Sequence, residues 1–142
     1  MLLTITSCTS FVRFTSEDKI KIEVQNIKPV ASVTEDKELD EEDFTGEIMT
    51  GTASYYADKF HGKKTASGEI YDQDDFTAAH RTLPFGTKVL VTNLENNKSV
   101  IVRINDRGPY KKSRLIDVSR AAAEELDMIQ SGIVEVEVKV LK

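Results

Sequence analysis

The chain has no tryptophan, one cysteine, two histidines and three prolines among 142 residues. A single cysteine excludes an internal disulfide, and it makes a cysteine-based zinc site improbable. No apolar run approaches the roughly 18 residues needed to span a bilayer. The net charge is −5, which argues against a general nucleic-acid binder. What is present is 39% hydrophobic and 30% charged, enough for one packed domain of ordinary size.

The acidity is uneven. Residues 9–47 carry eleven Asp or Glu against five Lys or Arg, whereas residues 48–142 carry thirteen against fourteen. The densest stretch, Glu35 to Asp43, holds seven acids. Such a run repels itself and builds no core, so residues 1–47 read as a largely disordered acidic segment and solvated linker. The other reading is a binding tail for a basic partner. Ile20, Ile22 and Val24 alternate, but Pro29 interrupts them and an isolated strand has no partner to pair with. Ile5-Thr6-Ser7-Cys8 has the form of the end of a bacterial lipoprotein signal: an aliphatic residue, two small residues and the cysteine to be lipidated. The basic segment of such a signal is missing, so on that reading the true start lies upstream of Met1. The bland alternative is an incidental cysteine after a truncated start.

Residues 48–142 form a second, separate domain with short apolar runs punctuated by turn residues. Strands are expected over Met49–Tyr56, Asp75–Ala79, Lys88–Asn93, Ser99–Ile104, Leu115–Val118 and Ile133–Leu141. In the last, Val134, Val136, Val138 and Val140 alternate with Glu135, Glu137 and Lys139, as a strand buried on one face requires. Asn96 and Asn97 suit a tight hairpin, and Leu83-Pro84-Phe85-Gly86 a turn with proline second. One helix is expected over Arg120–Leu126 behind Ser119 as N-cap. About six short strands and one helix suggest a small closed barrel.

The motifs decide more. Gly51-Thr52-Ala53-Ser54-Tyr55-Tyr56 opens the domain. Phe60-His61-Gly62, Thr65-Ala66-Ser67-Gly68-Glu69-Ile70-Tyr71-Asp72 and Phe76-Thr77-Ala78-Ala79-His80 follow. Then come Leu83-Pro84-Phe85-Gly86-Thr87, Val91-Thr92-Asn93, Arg103-Ile104-Asn105-Asp106-Arg107-Gly108-Pro109 and Ile116-Asp117-Val118-Ser119. In this order and spacing the series resembles the rare lipoprotein A (RlpA) family. The resemblance implies a mainly β fold, a six-stranded double-psi β-barrel with one or two short helices. It implies a lytic transglycosylase that cuts peptidoglycan between N-acetylmuramic acid and N-acetylglucosamine, favours strands stripped of stem peptides and leaves a 1,6-anhydro end. It also implies a lipid anchor, at Cys8, in the bacterial envelope and facing the periplasm. Thr9 lacks the Asp of inner-membrane retention, which favours the outer membrane.

Glycosidic cleavage needs a proton for the leaving oxygen and stabilisation of an oxocarbenium-like centre. Here the muramic C6 hydroxyl, not water, closes on C1, so one acid can first donate and then accept a proton. By the resemblance Asp106 is the first candidate, against the alternative of a turn Asp bonding its own backbone. Glu69 is the second, as partner acid or sugar-hydroxyl acceptor, against an exposed loop carboxylate. His80 is the third, orienting a carboxylate or binding a sugar oxygen, against a structural histidine. Tyr55, Tyr56 and Tyr71 either stack on sugars or pack on the rim. Arg81 and Arg107 either contact N-acetyl or lactyl groups or, for Arg107, pair with Asp117. A metal site of His80, Glu69 and Asp106 is disfavoured by its single histidine, and no cofactor is expected.

The sequence departs from many relatives of that family in two places. Tyr55 or Tyr56 stands where they carry Trp, and Ala57 where they carry Gly. Nor is a glycan-binding SPOR domain seen, so septal targeting is not carried over. The competing function is a non-catalytic, expansin-like peptidoglycan-binding module; a monomer with no nucleic-acid partner is expected in either case.

Overall fold

The computed structural model describes residues 38–142. The expectations for Cys8, for residues 20–33 and for the front of the acidic run lie outside the described residues. Six strands follow in chain order: β1 (Phe44–Tyr55), β2 (Thr77–Ala79), β3 (Lys88–Asn93), β4 (Ser99–Asp106), β5 (Arg114–Val118) and β6 (Val134–Leu141). One α-helix, α1 (Arg120–Glu125), lies between β5 and β6. The strands close in the order β1-β5-β2-β4-β3-β6, so the expected closed barrel is the fold that forms. Among the described residues no helix is long and apolar enough to cross a membrane.

The four alternating valines of β6 point inward and are buried. They meet Val89 and Val91 of β3, Val102 and Ile104 of β4, and Ile116 and Val118 of β5. Each such side chain contributes roughly 1.5–3 kcal/mol relative to exposure. Ala122, Ala123 and Leu126 close the core from the side of α1. The Ser119 hydroxyl caps that helix by accepting from the Ala122 N–H at 3.3 Å.

Several local details differ from the sequence expectation: β2 starts two residues late, at Thr77, β4 runs two residues further, to Asp106, and β5 starts one early, at Arg114. β1 begins at Phe44, five residues early, because β6 runs far enough to pair with it from Phe44↔Leu141 to Ala53↔Val134. Gly46, at φ +86°, absorbs the register shift between Phe44 and Ile48. The proline turn is offset by one: the Thr87 N–H donates to the Pro84 carbonyl, so Pro84 is first and Gly86, at φ +88°, third. The third position of such a turn demands that positive φ. The hairpin forms as expected, with Asn97 at φ +60°.

Two pairs, β1–β5 and β2–β4, are parallel; the other neighbours are antiparallel. Each parallel pair carries one bulge. Ala78 pairs with Ile104 and Ala79 with Asp106, so Asn105 is the extra residue on β4. Thr52 pairs with Arg114 and Ala53 with Ile116, so Leu115 is the extra residue on β5. Strand side chains alternate, so an extra residue turns what lies beyond it to the other face. The first bulge turns Asp106 away from the core face of Val102 and Ile104. The second turns Arg114 away from the face of Ile116 and Val118.

Gly51 leaves the space that bulged Leu115 fills: a Cβ at Gly51 would stand 2.9 Å from the Leu115 Cβ. Gly51→Ala is therefore expected to destabilise the chain by about 1–3 kcal/mol. Urea unfolding of the 142-residue chain checks this; an unshifted midpoint would mean that the bulge yields without cost.

Candidate active site

Ser54 of β1 stands opposite Asp117 of β5, Asp117 opposite Ala79 of β2, and Ala79 opposite Asp106 of β4. One row across four strands thus carries two carboxylates with a small alanine between them. A groove of about 720 Å³ opens over this row. Ser54, Tyr56, Asp106, Arg114 and Asp117 line it from the strands and their ends, and Phe60, Lys63, Lys64, Tyr110 and Lys111 from the connecting loops.

Asp106 is held by three donors. Its Oδ1 accepts from the backbone N–H groups of Ala66 and Arg107, both at 2.8 Å. Its Oδ2 accepts from the Tyr56 hydroxyl at 2.6 Å. The two oxygens are chemically distinct. An amide N–H can only donate, whereas a hydroxyl can donate or accept. A proton on Asp106 therefore belongs on Oδ2, where the Tyr56 hydroxyl can reverse to receive it. Burial, and then the Asp106 carboxylate itself, push the Tyr56 phenol far above its ordinary value, so it stays protonated. The Tyr56 ring is fixed between Tyr71, 4.7 Å away by centroids, and Phe60, at 5.8 Å.

Glu69 does not line the groove. Its exposed carboxylate takes two bonds from Arg103 Nη1, at 2.9 and 3.0 Å, and one from Asn105 Nδ2 at 3.1 Å. The Asn105 and Arg103 hydrogen bonds hold it below the usual carboxylate range. An acid held ionised is poorly suited to give a proton. The geometry suits a clamp: Glu69 closes the 64–70 loop onto β4, and that loop carries the Ala66 N–H to Asp106. The Ser67 N–H, bonded to the Asn105 carbonyl at 3.3 Å, docks the same loop.

His80 is buried and outside the groove lining. Its Nδ1 accepts from the N–H groups of Thr82 and Leu83, at 3.2 and 3.1 Å, which ties the 80–83 turn. Arg107 Nη1 then donates to the carbonyls of His80 and Leu83, at 3.2 and 2.7 Å, and its guanidinium lies 4.0 Å over the Phe85 ring. The alternative reading, an Arg107–Asp117 pair, does not form, because these carbonyls hold Arg107; the cation at Asp117 is Arg114, at 3.8 Å. Arg81 donates to the carbonyls of Pro109, Lys111 and Arg114, stapling the 109–114 loop.

The tyrosines also divide. Tyr55 packs on the core and donates to the Ile129 carbonyl at 3.1 Å. Tyr71 is buried behind Tyr56, and its hydroxyl accepts from the Arg120 N–H at 3.3 Å. Tyr71 thus offers no free face for a sugar, whereas Tyr55 also lines the groove. Tyr110 is 94% exposed on the groove rim. It went unnoticed in the sequence although it follows the Gly108-Pro109 step directly. Ser54 and Arg114 were missed as well. Ser54 had a signal, since it sits two residues before Tyr56, which directly follows β1, and so shares its face. Among the described residues no group of three or more His, Cys, Asp or Glu is placed to hold a metal.

Burial first, and then Arg81 and Arg107 beside it, hold His80 below its ordinary value of 6.5. The unfolded chain then binds the extra proton first, so stability is full above about pH 6.5 and falls as pH drops below it. His80→Asn keeps an acceptor for the Thr82 and Leu83 amides but does not titrate. Melting temperatures between pH 8 and 5 are expected to fall less steeply in His80→Asn than in the parent chain; parallel slopes would contradict this.

Residues 48–138 match the lytic transglycolase family. "Probable endolytic peptidoglycan transglycosylase RlpA" of Treponema pallidum is 61% identical over 95 residues, covering 66% of this chain and 30% of that protein. "Endolytic peptidoglycan transglycosylase RlpA" of Pasteurella multocida is 55% identical over 98 residues, covering 69% and 33%. The chain thus spans about a third of the length of the curated relatives it matches. Among solved structures, Streptomyces papain inhibitor superposes with a TM-score of 0.57 at 27% identity, over 68% of this chain and 96% of that one. Clavibacter michiganensis expansin superposes with a TM-score of 0.56 at 17% identity, over 68% and 51%, a likeness of fold alone. The resemblance seen in the motifs is borne out, and the chain belongs to the lytic transglycolase family.

Proposed function

We propose that this chain is a lytic transglycosylase of peptidoglycan, cleaving between N-acetylmuramic acid and N-acetylglucosamine with formation of a 1,6-anhydro end. The observation that carries this is Asp106 on the groove floor, with Oδ1 fixed by two amides and Oδ2 facing a reversible hydroxyl. In its acid form Asp106 gives the Oδ2 proton to the leaving oxygen. The carboxylate left behind is met at once by three donors, which stabilise it as the bond breaks. Tyr56 is the reversible donor, Glu69 positions the Ala66 amide through its loop, and His80 and Arg81 shape the loops that frame the groove.

A second hollow of about 310 Å³ adjoins the groove and shares Arg107, Gly108 and Tyr110 with it. Two adjoining hollows suit binding within a strand, the endolytic action named for the relatives. Lys59, Lys63, Lys64 and Lys111 rim the first hollow. They suit the lactyl carboxylates that strands expose once stem peptides are removed. Tyr110 supplies a face for one sugar. The place of action is the bacterial cell envelope, with a lipid anchor at Cys8 holding a monomer to the periplasmic face of the outer membrane.

The test is incubation of the 142-residue chain with sacculi and with amidase-stripped strands, followed by mass spectrometry of the ends. Anhydro-muramic ends are expected from the parent chain, at least about 100-fold fewer from Asp106→Asn, and about 10- to 100-fold fewer from Tyr56→Phe, which loses one hydrogen bond to a charged group. Glu69→Gln is expected to lose less than Asp106→Asn, since it weakens a clamp and not the donor. Strands that bind but stay intact would instead support an expansin-like binding module. Reducing ends without anhydro sugar would mean that water attacks.

A further inference from the structure

The row that holds Asp106 carries a second hydroxyl–carboxylate pair. Ser54, near the end of β1, and Tyr56, just past that end, lie two residues apart and face the same groove. Tyr56 donates to Asp106, and Ser54 donates to Asp117 Oδ1. Arg114 Nη1 donates to the Ser54 hydroxyl at 3.0 Å and stands 3.8 Å from Asp117 Oδ1. The bulge at Leu115 exists at the one place that brings Arg114 to this face. Among the described residues its buried Nε has no hydrogen-bond partner, so the neighbours of Arg114 on this face do not satisfy it fully. Among the described residues no donor reaches Asp117 Oδ2, so that oxygen is available to the groove.

We propose that Asp117 is the second carboxylate of the site, the group that takes the proton of the muramic C6 hydroxyl. This rests on the transglycosylase reading. Strands lie about 4.8 Å apart, so two strand steps put the Cα atoms of Asp106 and Asp117 about 10 Å apart. In the row only Ala79, itself buried, separates them, and the groove reaches both carboxylates alongside Gly108, which has no side chain to fill it. The chemistry matches a single row. The C6 oxygen can bridge to C1 only on the face from which a β-linked leaving group departs, so donor and acceptor must both approach that face. In the step, the C1–O4 bond breaks, its electron pair goes to O4, and Asp106 gives O4 a proton. O6 bonds to C1 and releases its proton to Asp117. Solvent then restores the proton of Asp106 and removes that of Asp117. Ser54 and Arg114 are positioning residues that fix Oδ1 and so aim Oδ2.

The test uses the full chain on amidase-stripped strands, counting anhydro ends. Asp117→Ala is expected to lower kcat by about 100-fold or more while KM stays within about threefold, and sodium formate is expected to restore kcat by about tenfold. Asp117→Asn keeps an acceptor for Ser54, so it serves if the alanine variant unfolds; it is expected to lose kcat equally while still binding strands. Retention of kcat within about threefold in either folded variant would overturn the assignment. So would a loss of kcat that comes with lost strand binding and no rescue by formate, since that marks a structural role. If the parent chain makes no anhydro ends, the transglycosylase reading falls and takes this one with it; parent activity with an unaffected Asp117 variant sinks this one alone.

Discussion

A strand turns successive side chains to opposite faces, and Val102 and Ile104 commit one face of β4 to the barrel core. Continued alternation would carry Asp106 inside with them. An unpaired carboxylate there would cost several kcal/mol. The extra residue at Asn105 removes that conflict by changing the parity of the strand. The rest of the site depends on this one insertion. It brings Asp106 to the row of Ala79 and Asp117, within reach of the Tyr56 hydroxyl. It also leaves the Asn105 side chain to join Arg103 in gripping Glu69.

Much of the chemistry-bearing sequence around the groove supports backbone and not substrate. His80 ties two amides, Arg107 two carbonyls and Arg81 three. These bonds replace water for loops that have no ladder to satisfy them. Their combined effect is to fix the 80–83 turn and the 107–114 connection against the ends of β2, β4 and β5. Rigid loops matter here because a carboxylate receiving amide bonds is only as well placed as the loop that supplies the amides. The Glu69 clamp does the same for the other wall.

The barrel was legible because its strands obey simple rules. The β6 valines alternate, β3 and β4 are rich in Val and Ile, and Asn97 and Ser119 occupy positions that their side chains favour. The missed start of β1 is a tertiary effect: Phe44 to Ile48 have a partner only because β6 is long enough to offer one. At the site, the motif singles out Asp106, and the fold sets it on the groove. The contacts of Glu69 and His80 were not legible, since nothing local says that Arg103 or the Thr82 and Leu83 amides will claim them. Ser54 and Asp117 are 63 residues apart in the chain, and only closure of the parallel β1–β5 pair sets them side by side. The bulges are harder to place, because a charged Asp106 in phase with Val102 and Ile104 shows that alternation breaks but not which residue is extra.

Two of the three donors to Asp106 are main-chain N–H groups, those of Ala66 and Arg107. Main-chain donors are indifferent to side-chain identity, proline excepted. What holds this carboxylate is thus written into the length of the 64–70 loop more than into its letters. Beyond Gly68, at φ +93°, and the clamping Glu69, the letters of such a loop matter less than its length, since the gain or loss of one residue would strip the acid of its amide.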